Sequence, residues 1–202
     1  MTEVPTAVRD HLRNYFSSTG IDSEPDAANV TFLGVERIEV LRFGPDLRGG
    51  SQGLFHYVTL GCSRYPMADG SAAVADPIQG PRAEIALSLR AGAPGAGLAR
   101  SLAVVAATPA VDGVVLDAGA LVDLSGPLWD DAPFTAVLLG LSEIPDLPLE
   151  PPRDPVRFLS AVPITQTEAA WVRLKGAEAL RQAWADDRVD VLDPRRPASS
   201  PH

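Results

Sequence analysis

The sequence predicts an α+β domain: a mixed, mainly antiparallel β-sheet of about eight strands with about three helices packed on it. Three features carry that expectation. Apolar runs of strand length outnumber helical ones, and short Gly- and Pro-rich loops join them with few long crossovers. The stretch Val156–Trp184 reads as a buried strand that turns straight into an amphipathic helix. A chain of 202 residues, 46% of them apolar, can also bury a full core without staples.

In chain order, residues 6–18 predict a first helix, because Val8, Leu12, Tyr15 and Phe16 recur at spacings of three and four. Gly20 stops it. A polar loop with Pro25 leads to two strands, Asn29–Val35 and Ile38–Phe43. Glu36-Arg37 between them leaves two options, a hairpin or one long strand with a bulge. Gly44–Gly53 is a turn cluster. Leu54–Gly61 (LFHYVTLG) holds aromatics, Val and Thr with no breaker, and is the clearest strand. Ala68–Pro81 is small, polar and rich in Pro and Gly, and predicts a mobile connection. Arg82–Arg90 alternates apolar and polar residues, the pattern of a half-exposed strand. Leu98–Ala107 predicts a second helix, ended by Pro109. Val114–Leu116 and Ala120–Leu124 predict short strands, and Phe134–Leu141 a buried one. Ile144–Pro155 is a proline-rich spacer. Val156–Val162 is a strand that should end at Pro163 or lie at a sheet edge, because Pro163 has no N–H for a ladder. Thr165-Gln166-Thr167-Glu168 fits a capping box. Trp171, Leu174, Ala177, Leu180 and Trp184 then line one helical face. Val189–Leu192 adds a short edge strand. The domain spans 1–193, and residues 194–202 form a disordered tail.

Composition excludes several function classes. The one Cys, Cys62, cannot build a disulfide framework or a Cys-based zinc site. The N-terminus lacks an apolar core of signal-peptide type, and no apolar run reaches membrane-spanning length. The expectation is a cytoplasmic protein with no membrane partner, its oligomeric state left open with the monomer favoured. A net charge of −9 argues against nucleic acid. That charge is unevenly placed. Ser101–Pro152 contains no Lys or Arg but holds Asp112, Asp117, Asp123, Asp130, Asp131, Glu143, Asp146 and Glu150. These acids are either solvated turns around strands or a face that steers a basic partner.

No catalytic constellation is legible. His56 and Cys62 fall on one strand face, roughly 20 Å apart by strand rise, too far for a Cys–His pair. His56 is expected as a core or cross-strand residue and Cys62 as a small buried hydrophobe. No trio of ligands has metal spacing. Arg48–Gly53 has the glycines of a phosphate cradle without its Lys, and is read as a turn. The sequence therefore predicts no enzyme, no metal and no cofactor. Trp129 lies in a loop beside Asp130-Asp131, where an exposed Trp would be a binding anchor and a half-buried one would close a sheet edge.

The segments LFHYVTLGCSRY, PRAEIALSLR, LARSLAVVAATP, GPLW, FTAVLLGL and AVPITQTEAAWVRLKGAEAL occur in an order that resembles the Suppressor of fused-like domain, in its bacterial version. The likeness covers roughly 29–187 and rests on core and turn residues rather than on a catalytic signature. It implies an α+β domain without enzymatic activity that binds a protein partner. In animals the family member is a cytosolic inhibitor that holds a transcription factor through an extended peptide, by β-strand addition. In bacteria, similar domains are thought to act as immunity proteins against toxins. The first functional expectation is thus an immunity protein that covers a toxin through Asp117, Asp123, Trp129, Asp130 and Asp131. The alternative is a regulatory adaptor that binds a transcription factor or other protein by strand addition.

Overall fold

The computed structural model describes residues 3–32, 34–49, 53–70, 76–92 and 96–199. The elements are helix α1 (Val4–Ser18), strands β1 (Asp26–Phe32), β2 (Val35–Asp46), β3 (Leu54–Leu60) and β4 (Arg82–Arg90), helix α2 (Leu98–Asp112), strands β5 (Leu121–Asp123), β6 (Phe134–Leu141) and β7 (Val156–Thr165), and helices α3 (Gln166–Lys175) and α4 (Ala177–Asp186). The seven strands form one sheet in the order β1-β2-β3-β4-β7-β6-β5. Every neighbouring pair is antiparallel except β4 and β7. The α+β expectation holds, with seven strands and four helices among the described residues.

Strand alternation sends side chains to two layers. On one face Ile85, Leu87, Leu89, Val137, Leu139 and Leu159 pack under α2. The opposite face is covered in two pieces. At one end α1 lays Val8, Leu12 and Phe16 over Leu41, Phe43 and Phe158. At the other, α3 and α4 cover Ala136, Leu138 and Ile164 with Val172, Leu180 and Trp184. A groove remains between the two pieces.

The structure corrects several expectations. Arg82–Arg90 is not half exposed. It is a central strand with both faces covered, and even Glu84 is 0% exposed. Glu36-Arg37 does not divide two strands, since the β1–β2 hairpin turns before Val35. β2 also runs past Phe43, through a register shift, to Asp46. Residues 50–52 of the expected turn cluster, and 71–75 of the expected mobile connection, lie outside the described residues. Pro109 does not end α2. Its missing N–H would have bonded Val105, whose carbonyl instead accepts from Thr108 Oγ1 (2.8 Å), and the helix closes at left-handed Gly113 (φ 63°). Val114–Leu116 is not a strand. Edge pairing starts later, where Gly119 donates to Leu139 and Leu139 to Ala120.

The long C-terminal helix is two helices, broken at Gly176 (φ 87°), and Leu174 is 79% exposed rather than core. The capping box forms as expected, with Thr165 and Glu168 bonding each other's backbone N–H. Val189–Leu192 makes turns instead of a strand. Of the tail expected from Pro194, residues 194–199 are described, with Arg196 3% exposed, and 200–202 lie outside the described residues.

Candidate functional site

The site grows from the one parallel seam in the sheet. β4 and β7 pair from Arg82/Val156 to Ala86/Ser160 and no further. Both strands continue, each with its antiparallel partner. β4 follows β3 as far as Leu54, and β7 follows β6 as far as Phe134. They therefore diverge, and the seam opens into a fork between Leu87–Arg90 and Ala161–Thr165.

The banks of the fork carry ladder groups. Arg90 turns its N–H away from β3 and donates it to the Leu192 carbonyl (2.9 Å). Backbone direction alternates along a strand, so Ser88 points its N–H and C=O into the same gap. On the other bank the Pro163 carbonyl accepts from Arg196 Nη2 (2.8 Å), and by the same alternation Ala161 faces the gap. This explains why Pro163 does not end β7. Its missing N–H points at the fork and costs β6 no ladder bond.

Side chains from both banks line a groove of about 320 Å³ together with α1 and the segment after β6. Its polar floor is built by cross-strand pairing. His56 stands opposite Ser88, with Nδ1 2.8 Å from the Ser88 hydroxyl, and opposite Phe43 on its other side. The register shift that follows Phe43 brings Asp46 to the same place, with its carboxylate 3.5 Å from His56 Nε2. Gly44 makes that bend. A Cβ there would stand 2.6 Å from the Leu54 carbonyl, and its φ of 127° suits glycine alone.

Arg48 saturates the carboxylate of Asp46 through its backbone N–H (2.9 Å), Nε (3.0 Å) and Nη2 (2.7 Å). Those bonds hold Asp46 far below the usual carboxylate range. Burial lowers the affinity of His56 for a proton, and the opposing pull of Asp46 does not restore it. The imidazole is therefore neutral at neutral pH. His56 is thus the cross-strand residue the sequence implies. Cys62 begins a short turn beyond β3, and burial pushes its thiol well above the ordinary range. Among the described residues, no group of His, Cys, Asp or Glu is placed to hold a metal ion.

Each end of the seam buries a glutamate. At the paired end Glu84 accepts from Thr59 Oγ1 (2.6 Å), Gly61 N–H (2.8 Å), Ser63 N–H (3.0 Å) and Ser63 Oγ (2.6 Å). At the open end Glu168 accepts from Arg196 Nη1 (2.7 Å) and Nη2 (3.1 Å), Trp184 Nε1 (3.0 Å) and Ser199 N–H (3.2 Å). The Arg196 guanidinium also lies over the rings of Phe134 (5.0 Å) and Trp184 (5.3 Å).

The acids singled out in the sequence do not converge. Asp117 lies near the Leu139 end of β6 and pairs with Arg157 (2.9 Å). Asp130 and Asp131 precede the Phe134 end, about 17 Å away along β6 by strand rise. Asp123 is on β5 and pairs with Arg173 (2.6 Å). Asp130 and Asp131 are exposed and border a shallow depression that Arg100 also lines. Trp129 is 6% exposed and packs on Phe134 at 5.5 Å between ring centres. It closes the loop and presents no anchor. Sequence reasoning missed Asp46, Arg48, Ser88 and Arg196. Only the alternation of β4 hinted at Ser88, and nothing local marks an arginine that is buried against Trp184, Glu168 and Phe134, 12 to 62 positions away.

Comparison with known proteins comes down to the fold. The crystal structure of a Suppressor of fused homologue from Neisseria gonorrhoeae FA 1090 superposes with a TM-score of 0.64 at 18% identity, covering 96% of each chain. A crystal structure of the Sufu–Fu complex superposes at 0.62 with 15% identity, covering 96% of this chain and 91% of that one. Drosophila Suppressor of fused gives 0.62 at 15% identity, and this chain spans 50% of its length. No curated sequence matches. The sequence pattern of the Suppressor of fused protein matches residues 34–197, a stretch that takes in both banks of the fork and the buried Glu168–Arg196 pair. By that match the chain belongs to the Suppressor of fused family.

Proposed function

We propose that this chain is a non-catalytic protein-binding module that receives an extended segment of a partner in the fork between β4 and β7. The observation that carries this reading is the divergence of the two strands after Ala86 and Ser160. It leaves inward-pointing backbone groups on both banks, the chemistry that strand addition uses for affinity. The groove beside the fork supplies a pocket for alternate side chains of the incoming segment. The existence of a Sufu–Fu complex among structures of this fold supports a protein as the ligand. The role is that of a regulatory adaptor holding a transcription factor or another protein. No helix among the described residues is long and apolar enough to cross a membrane, and we place the adaptor in the cytoplasm as a monomer.

The polar floor supports the non-catalytic reading. Ser88, His56 and Asp46 are in line, but Asp46 is committed to Arg48 and stands 3.5 Å from His56. An acid engaged in that way neither orients nor charges the imidazole as a catalytic triad needs.

A second reading keeps the acidic face. The absence of Lys and Arg from Ser101–Pro152 favours it, with Asp117, Asp123, Asp130 and Asp131 meeting a basic toxin or another basic protein. Against it, Asp117 and Asp123 already hold arginines.

One pull-down from lysate of the producing cell separates the two. Ser88→Arg fills the fork, and Asp123→Asn with Asp130→Asn and Asp131→Asn discharges the face. A partner retained at high salt, kept by the Asn variant and lost by Ser88→Arg, supports the fork. A partner lost at high salt and by the Asn variant alone supports the acidic face.

A further inference from the structure

We propose that Arg188–Ser199 is an autoinhibitory strap, a segment of the chain's own that occupies the fork and must be displaced by an incoming strand. The proposal rests on the fork being the partner site. The strap enters where β4 and β7 have parted. Leu192 accepts from the Arg90 N–H (2.9 Å), the ladder position a partner residue would take. Asp190 pairs with the Arg90 guanidinium (2.6 Å). Val191 and Leu192 form one wall of the groove. Further on, Arg196 crosses to the opposite bank and bonds the Pro163 carbonyl (2.8 Å) while buried against Glu168. The strap thus touches both banks, and it engages one backbone group on each.

It does so without becoming a strand. Residues 188–199 make turns joined by irregular backbone, closed by bonds such as Asp193 to Asp190 and Arg196 to Asp193. Between Asp190 and Arg196 the only ladder bond to β4 is the one at Arg90. An extended partner could bond Ser88 as well as Arg90, and Ala161 on the facing bank. The design is therefore a weak occupant on a strong tether. Residues 190–192 sit lightly in the fork, and the Arg196–Glu168 anchor keeps them at high local concentration.

The test uses the full chain and needs no natural partner. The probe is a fluorescein-labelled synthetic peptide of residues 188–199, followed by anisotropy. In the wild type the tethered copy excludes it, since apparent affinity scales with the fraction of open fork. Leu192→Asp and Arg196→Gln loosen the tethered copy and should tighten probe binding by about tenfold or more. Circular dichroism confirms that each variant is folded. A third variant guards against unfolding of the second. In a Cys62→Ser background, Arg90→Cys with Leu192→Cys locks the strap when oxidised. The locked form should refuse the probe and the reduced form should take it. Folded variants that bind the probe no better than wild type, or a locked form that binds as well as the reduced one, overturn the strap. Loss of the partner on Ser88→Arg alongside either of those results removes the strap alone. Probe binding as expected with a partner indifferent to Ser88→Arg removes the partner reading and leaves the strap.

Discussion

Glu84 lies at the end of the β4–β7 seam where the strands are paired, and Glu168 lies where they have parted. Both are 0% exposed. Glu84 meets only neutral donors, all from the Thr59–Ser63 turn. Burial outweighs those bonds and raises its proton affinity. Glu168 is pushed the same way by burial, but Arg196 and the further hydrogen bonds outweigh the push and hold it below its ordinary value. The difference lies in reach. The paired end is finished by groups of its own hairpin, whereas the open end is finished by a cation delivered from the C-terminal segment. The open end of the seam is thus closed by a long-range, charge-dependent clasp.

Substitution at the two ends should separate them most widely. Arg196→Met leaves Glu168 buried without its cation and should cost about 3–5 kcal/mol in urea unfolding. Glu84→Gln keeps one carbonyl oxygen for the Gly61 and Ser63 donors and turns one bond around. It should cost about 1–2 kcal/mol. If Glu84→Gln proves the costlier change, the division of labour between the two ends is wrong.

That division was half legible in the sequence. The strand run Leu54–Gly61, the run Phe134–Leu141 and the Thr165–Glu168 box show in local pattern, because periodicity and capping are properties of neighbours. Strand order is not. Arg82–Arg90 alternates like a surface strand, yet the parallel pairing with β7 puts it at the centre and buries Glu84. Pro163 reads as a stop signal, and only the fork beside it removes the penalty. Pro194–Ser199 has the composition of a tail, and burial of Arg196 against Glu168, Phe134 and Trp184 reverses that. The acidic stretch is visible as a count of charges, but the fold sets Asp117 and Asp130-Asp131 toward opposite ends of β6 and gives Asp117 and Asp123 arginine partners.

A titration sharpens the same contrast. The depressed Glu168 contributes stability that is full above the ordinary carboxylate range and is lost as pH falls through its lower folded value. The raised Glu84 has the opposite sign, with its contribution present in acid and lost as pH rises from the ordinary value through the folded one. The advantage of wild type over Glu168→Gln should therefore shrink on acidification, while its standing relative to Glu84→Gln improves. Urea midpoints across mildly acidic pH measure both. Parallel slopes for the two variants would show that the ends are not electrostatically distinct.

The smallest effect belongs to the exposed pair at the mouth of the fork. Arg90 and Asp190 have side chains 30% and 44% exposed, so water and salt screen their attraction. Asp190→Asn should cost about 0.2–1 kcal/mol, close to the limit of a global unfolding experiment. Its local consequence is easier to see. The same residues frame the bond from Arg90 N–H to the Leu192 carbonyl, and loosening Asp190 lets that bond open without unfolding the sheet. Hydrogen exchange at the Arg90 amide should quicken in Asp190→Asn and in wild type at high salt, while the Leu87 amide, on the β3 side of β4, keeps its rate. Equal acceleration at Arg90 and Leu87 would mean that the fork and the paired sheet open as one unit.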